Sequence, residues 1–388
     1  MVSGIKKLAK YFLDNNIYYL DDKLNEIIKN RRKKNFALLI NQASFFEHNN
    51  KFIFTLDFIK EFFNLKRVFA PQHGLFPITQ ANMITWENYY DKIHNIEVIS
   101  LYSKNGLKPD IKYLEDIDYI LIDIQDIGVR YYTYIWSLIY LIEQVQKLKK
   151  EIIIFNRLNP LGKAKEGVIL EEEYFSFVGM AKIHNRHGLT IKDIINLKFN
   201  DKNFINIIDF TEKEETIYKE KLDYYFIPTS PNINSIKTIY FYIGFCLLEG
   251  TNISEGRGTT YPFSAFGAPF INETKLKKRI DYYKEKYNIQ GVEFIYHSFK
   301  PTFDKYKDEI CRGLKMIITD KNKFKSLKTA CIVLKAINDL YPNDFKFLDP
   351  PYEYEYIKKP IDILFGNNLL RISINNDNLF NKLMNSIL

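Results

Sequence analysis

The sequence predicts an α/β protein: a Rossmann-like, doubly wound parallel sheet with a second, smaller α+β domain at the C-terminus. Three observations carry this. Between about residues 35 and 156, short apolar runs alternate with segments of helical length and period, the pattern of parallel strands joined by right-handed crossovers. The chain has 388 residues, of which 46% are hydrophobic and 26% charged, enough to bury a core in each of two domains. A turn cluster from Pro228 to Asn234, holding Ser230-Pro231-Asn232, marks a boundary. The domains are therefore expected at 1–235 and 236–388.

Taken in order, buried strands are expected at Phe36–Ile40, Arg67–Ala70, Glu97–Leu101, Tyr119–Ile124 and Glu151–Phe155. Leu56–Phe63 reads as a helix with Thr55 as its N-cap, and Tyr131–Lys149 as a long amphipathic helix. Thr190 with Asp193 forms a capping-box pair ahead of a helix reaching about Lys198. The charged stretch Glu212–Lys221 reads as a solvated helix or loop. Ile239–Leu248 is apolar throughout and fits strand or helix equally. Beyond it, helices near Thr274–Tyr287 and Lys323–Leu340 alternate with strands near Val292–His297 and Leu314–Thr319.

Composition narrows the function. Three scattered cysteines, Cys246, Cys311 and Cys331, make neither a disulfide framework nor a CxxC zinc site and read as buried thiols. The net charge of +8 invites a nucleic-acid partner, but the compact basic run is confined to Arg31–Lys34, so none is expected. No stretch is apolar for long enough to span a membrane. The first twenty residues have no apolar signal region, so the chain as it stands reads as cytoplasmic; a chain cut from a longer precursor would be secreted or periplasmic. Neither GxGxxG after the first strand nor GxxxxGK[ST] occurs, which argues against a dinucleotide or nucleoside triphosphate.

Doubly wound sheets place ligands beyond the carboxyl ends of their strands. Those ends carry Asn41-Gln42, Gln72-His73-Gly74, Tyr102-Ser103, Gln125-Asp126 with Arg130, and Asn156-Arg157. Five polar strand ends in succession predict a shared cleft. Later, Glu249-Gly-Thr-Asn-Ile-Ser-Glu-Gly-Arg-Gly-Thr-Thr260 packs two carboxylates, an arginine and three glycines into twelve residues. That composition suits sugar-hydroxyl recognition, proton transfer, or a turn in which Arg257 pairs with Glu255. His184-x-x-His187 has a metal-like spacing, but the following Gly188 opposes a helix, so no metal is expected and His187 is the candidate of that loop.

These runs, with Phe69–Gly74, Asp123–Thr133, Asn156–Gly162, Ser176–Gly179, Arg186–Thr190 and Ser230–Asn232, occur in order along the chain. They resemble the NamZ-type exo-β-N-acetylmuramidases, glycoside hydrolase family 171. The resemblance implies a Rossmann-like domain carrying the active site, a smaller C-terminal domain, and release of terminal N-acetylmuramic acid from peptidoglycan fragments without a cofactor. Peptidoglycan-derived amino sugars would be the partners. Two departures stand out: many members have Glu where this chain has Gln72, and Asp where it has Asn156. An amide can neither donate a proton as an acid nor attack as a carboxylate. A 2-acetamido sugar can supply its own acetamide as nucleophile, which reduces the need to one acid and an orienting group. The acid is expected at Glu255 or Glu249, with Glu166 and Asp126 as the other carboxyl candidates. Asp126 would orient Arg130 or His73, and Arg130, Arg186 or Arg257 would pair with the lactyl carboxylate. Gln72, Asn156, Arg157, His187 and Asn252 complete the expected binding set. A muropeptide-binding protein on the same scaffold, without turnover, is the alternative raised by the two amides.

Overall fold

A computed structural model describes residues 3–14, 22–211, 215–216 and 226–388. The expected charged element at Glu212–Lys221 lies, apart from 215 and 216, outside the described residues. The chain divides into two compact units: residues 1–128, 132–162 and 189–231 form the first, and 129–131, 163–188 and 232–388 the second.

The first unit is built on a seven-stranded sheet in the order Ile205–Ile208, Glu151–Phe155, Tyr119–Asp123, Phe36–Ile40, Leu65–Ala70, Ile96–Ser100 and Tyr89–Asp91. All neighbours are parallel except the last pair. Numbered along the chain, the six parallel strands read 3-2-1-4-5-6 across the sheet, so the strand order reverses between Phe36–Ile40 and Tyr119–Asp123, where such folds open a crevice. Every residue of Phe36–Ile40 is buried, as a central strand covered on both faces requires. Ile5, Leu8, Ile27, Leu56 and Ile59 from the helices Ile5–Leu13, Asp22–Asn30 and Thr55–Phe62 pack into one core with Phe36, Leu38 and Ile40. The helix Tyr134–Lys147 buries ten of its fourteen residues, Trp136 among them.

Thr55 does not cap its helix. It is the first helical residue, behind Phe54, and its hydroxyl donates to Asp123 instead. The Thr190–Asp193 capping box forms as expected.

The second unit holds a three-stranded antiparallel sheet, Ala265–Ala268, Cys311–Ile318 and Val292–Phe299, with Cys311–Ile318 central. It also holds the hairpin Glu166–Ile169/His184–Arg186 and the helices Ile236–Phe245, Glu273–Lys286 and Ser326–Leu340. The ambiguous apolar run resolves as helix Ile236–Phe245 followed by a 3-10 turn, Cys246–Gly250. It lacks a polar stripe because eight of its ten helical residues are buried. All three cysteines are free and buried. No helix among the described residues is long and apolar enough to cross a membrane.

Candidate active site

The carboxyl ends of the first unit's strands are tied together by side chains. Asn41 and Gln125 bridge the reversal point: the Gln125 amide donates to Asn41 Oδ1 at 3.2 Å, and Asn41 Nδ2 donates to the Gln125 carbonyl at 3.2 Å. Beneath them Asp123 and Arg157 form a bidentate pair of 2.6 and 2.7 Å with both side chains fully buried. Ser3 and Thr55 donate to the same carboxylate. Asp123 accepts from Ser3, Thr55 and both Arg157 nitrogens, so Arg157 is held in a buried structural pair at the base of these strand ends. Asn156 is similarly structural: Nδ2 donates to Asp209 at 2.9 Å and Oδ1 accepts the Lys192 amide. An aspartate at 156 would set two carboxylates against each other, so the amide suits its neighbour.

Above this base, Thr133 Oγ1 donates to Gln72 Oε1 at 2.8 Å, with both residues buried. The Gln72 carbonyl is thereby fixed as acceptor and its NH₂ as the donor end. His73 follows with φ of 72° and Gly74 with 82°, a left-handed turn rare for a residue with a Cβ. His73 Nδ1 lies 3.0 Å from the Thr79 carbonyl. A carbonyl only accepts, so Nδ1 carries the proton and Nε2 is the basic nitrogen of the neutral ring.

Asp126 is buried, and its Oδ2 accepts the Gly128 amide at 2.8 Å in a tight turn. Gly128 has φ of 82°, and a Cβ there would come within 2.2 Å of Asn159 Oδ1, so only glycine closes this turn. Asp126 also raises the Tyr132 pKa, adding to the larger effect of burial, while the neighbouring Thr229, Ser230 and Tyr134 oppose the rise. Gln72 thus meets Thr133 directly, and Asp126, from a different strand end, acts on the adjacent Tyr132 through its charge. Tyr132, Thr133, Thr229 and Ser230 were absent from the expected site set. The Tyr-Tyr-Thr and Ser-Pro-Asn runs next to Arg130 and Pro228 were the signal that could have placed them there.

Arg130 belongs to the second unit and is 0% exposed. Its guanidinium donates to the carbonyls of Val168, Ile183, Leu364 and Phe365 at 2.8–3.0 Å. The last two end the helix Pro360–Phe365, where a cation is favoured. Burial draws its pKa down to about 10, so it stays charged at neutral pH. Arg130 clamps the hairpin to that helix.

The glycine-rich motif also lies in the second unit, and its charges meet each other. Arg257 pairs with Glu249 at 2.5 Å and with Glu255 at 3.3 Å. Lys305 reaches Glu255 at 3.0 Å and the carbonyls of Leu248 and Ile253. Tyr352 donates to Glu249 Oε2 at 2.6 Å. Burial opposes the charge on Glu255, but Lys305 and Arg257 outweigh it and leave its pKa lowered. A carboxylate held ionised is poorly suited to give up a proton. Asn252 is anchored to the main chain of Asp344 and Lys346.

Glu166 is buried and accepts the Leu327 amide at 2.8 Å in the first turn of Ser326–Leu340; burial raises its pKa. Arg186 is half-buried, 5.8 Å from the Tyr240 ring, and His187 is buried. His184–Arg186 is a strand, so His184 and His187 do not share a helical face, and no metal-ligating cluster occurs among the described residues.

Comparison with known proteins places the chain. Residues 36–237 match the N-terminal and 240–387 the C-terminal domain of exo-β-N-acetylmuramidase NamZ. The chain belongs to the NamZ family. It is 36% identical over 375 residues to the peptidoglycan β-N-acetylmuramidase NamZ of Bacillus subtilis (strain 168), covering 95% of this chain and 86% of that one. Two crystal structures of DUF1343 family proteins from Bacteroides fragilis NCTC 9343 share the fold. One has a TM-score of 0.74 at 25% identity, covering 99% of this chain and 97% of that one. The other has 0.63 at 23%, covering 96% and 90%.

Proposed function

We propose that this NamZ-family chain is an exo-acting β-N-acetylmuramidase that releases terminal N-acetylmuramic acid from peptidoglycan fragments. The observation that carries this reading is the 36% identity to the Bacillus subtilis muramidase across 95% of the chain.

The reacting groups we assign all lie at the strand ends of the first unit. Asp126 acts as the acid that protonates the leaving oxygen, with its second oxygen held by the Gly128 amide. Gln72, held through Oε1 by Thr133, directs its NH₂ to the carbonyl of the substrate acetamide. That carbonyl oxygen attacks the anomeric carbon as the glycosidic bond breaks; the bond from Gln72 orients it, and because the substrate supplies the nucleophile no carboxylate is needed at position 72. Water then adds to the anomeric carbon and opens the ring intermediate, its proton returning to the Asp126 carboxylate, directly or by way of His73 Nε2, so that the acid is restored. The carboxylates of the glycine-rich motif stay in their ion pairs and hold the second unit together.

Incubating the protein with a muramyl-terminated glycan fragment and weighing the products tests the reading. Free N-acetylmuramic acid is the expected first product. Release of N-acetylglucosamine first, or internal cleavage, would overturn it.

A further inference from the structure

The turn that carries Gln72 and His73 is closed by the Gly74 amide, which donates to the Pro71 carbonyl at 3.0 Å. His73 occupies the third position of this turn with φ of 72°, a conformation that glycine or asparagine ordinarily supplies. A residue with a Cβ stays there only where its surroundings hold it. Contacts from the chain just downstream do so. The Thr79 carbonyl meets His73 Nδ1 at 3.0 Å. The Trp86 indole Nε1 donates to the Pro71 carbonyl at 3.2 Å. That oxygen therefore accepts two bonds, one closing the turn and one from outside it, and both its lone pairs are used.

Trp86 is itself anchored. Its backbone amide donates to the Tyr102 carbonyl at 3.1 Å, just beyond the strand Ile96–Ser100. Its ring is half-buried against the apolar core of the first unit, and a Cβ on Gly74 would lie 3.8 Å from it. The indole thus lies against Gly74 while its N–H reaches Pro71, gripping the turn at both ends. Asn88 fixes the same segment elsewhere: its side chain accepts the Ser100 amide at 2.8 Å and donates to the Tyr113 hydroxyl at 2.9 Å.

We infer that Trp86 is a positioning residue for the proposed reaction. It ties the Gln72–His73 turn to the neighbouring strand end, and so sets where the Gln72 NH₂ and His73 Nε2 stand. The inference rests on the assigned muramidase reading for what those two groups do, not for how they are held. Removing the indole N–H leaves the Pro71 carbonyl with the Gly74 bond alone. The turn then relaxes toward a less strained backbone, and the His73 ring moves off the Thr79 carbonyl that keeps its proton on Nδ1.

Two variants test it. Trp86→Phe keeps an aromatic ring against Gly74 and removes the indole N–H. Asn88→Ala loosens the same segment without touching the turn. The first measurement is nitrogen NMR of the His73 imidazole at mildly alkaline pH, assigned by its loss in His73→Asn. Wild type should show the Nδ1–H tautomer. Trp86→Phe should shift the ring toward the Nε2–H form that a free imidazole favours, and Asn88→Ala should leave it as in wild type. A tautomer unchanged in Trp86→Phe, or changed equally by Asn88→Ala, would overturn the assignment. The second measurement is turnover of an aryl N-acetylmuramide. Trp86→Phe should lower kcat about tenfold with KM within about twofold, as misplaced reacting groups require, and Asn88→Ala should change neither. An active wild type with kcat unaltered in Trp86→Phe also counts against the role. If wild type turns over no muramide while the tautomer responds, the muramidase reading fails and the hold of Trp86 on His73 stands. Should Trp86→Phe not fold by circular dichroism, hydrogen exchange of the wild-type Trp86 indole N–H decides. Slow exchange supports the bond to Pro71, and exchange as fast as in free indole overturns it.

Discussion

The Thr133 hydroxyl donates to Gln72 Oε1 at 2.8 Å, and both side chains are buried. This single bond gives the amide at position 72 a defined orientation. It converts what looks in sequence like a lost carboxylate into a fixed hydrogen-bond donor.

If that donor positions the substrate acetamide, Gln72→Ala should lower kcat/KM on an N-acetylmuramide about 10²-fold, largely in kcat. Thr133→Val should cost less, about tenfold, because Gln72 is kept but loses its anchor. Steady-state kinetics of both variants check this. Equal and negligible effects would remove Gln72 from the reaction.

Glu255 sits in a buried cluster with Arg257 and Lys305, an arrangement that predicts a role in stability. Its pKa is lowered in the folded state by Lys305 and Arg257, against the cost of burial. A depressed carboxylate contributes stability above its unfolded value of about 4.3. That contribution disappears as pH falls through the lower folded value. Glu255→Gln should therefore lose about 3 kcal/mol at pH 7, since Arg257 and Lys305 are left with one buried carboxylate between them. The loss should shrink in acid. Denaturant unfolding at pH 7 and pH 3 reads both.

Glu166 behaves in the opposite sense. Burial raises its pKa, so its favourable contribution is complete below about pH 4.3 and fades as pH rises through the folded value. Glu166→Gln keeps an acceptor for the Leu327 amide and removes the buried charge. Its melting temperature should exceed that of wild type by about 2–4 °C at pH 8 and match it at pH 4. A lower melting temperature at pH 8 would show that the charge itself is needed.

Much of the first unit was legible in the sequence. Phe36–Ile40 and Glu151–Phe155 appear with the expected bounds, and the other three strands shift by one or two residues. Buried parallel strands are continuous apolar runs, so they announce themselves. The sixth parallel strand, Ile205–Ile208, and the antiparallel edge Tyr89–Asp91 were not foreseen. Both are short edge strands, and Tyr89–Asp91 has two exposed residues, so neither has a distinctive period. Thr55 shows how tertiary demand overrides a local rule: Asp123, already facing Arg157, recruits the hydroxyl that would otherwise cap a helix.

Part of the proposed site was legible: Gln72, His73 and Asp126 stand just beyond strand ends, where the sequence placed them. The Glu249–Thr260 motif has the composition of an active site and the geometry of a buried ion-pair cluster. Sequence shows which charges are near in the chain, but not that Lys305 and Tyr352 arrive from fifty and a hundred residues away to meet them. Arg130 likewise stands beside a strand end in sequence, while its guanidinium is directed to four carbonyls of the second unit.

The central claim is that this chain turns over muramides with Asp126 as acid and an amide at position 72. The direct measurement is hydrolysis of a chromogenic N-acetylmuramide by wild type, Asp126→Asn and Gln72→Glu. Asparagine keeps the acceptor for the Gly128 amide, so the fold should persist. Wild type should be active, and Asp126→Asn should lose about 10²–10⁴-fold in kcat, the usual worth of a general acid. An inactive wild type restored by Gln72→Glu, or full activity in Asp126→Asn, would contradict the account.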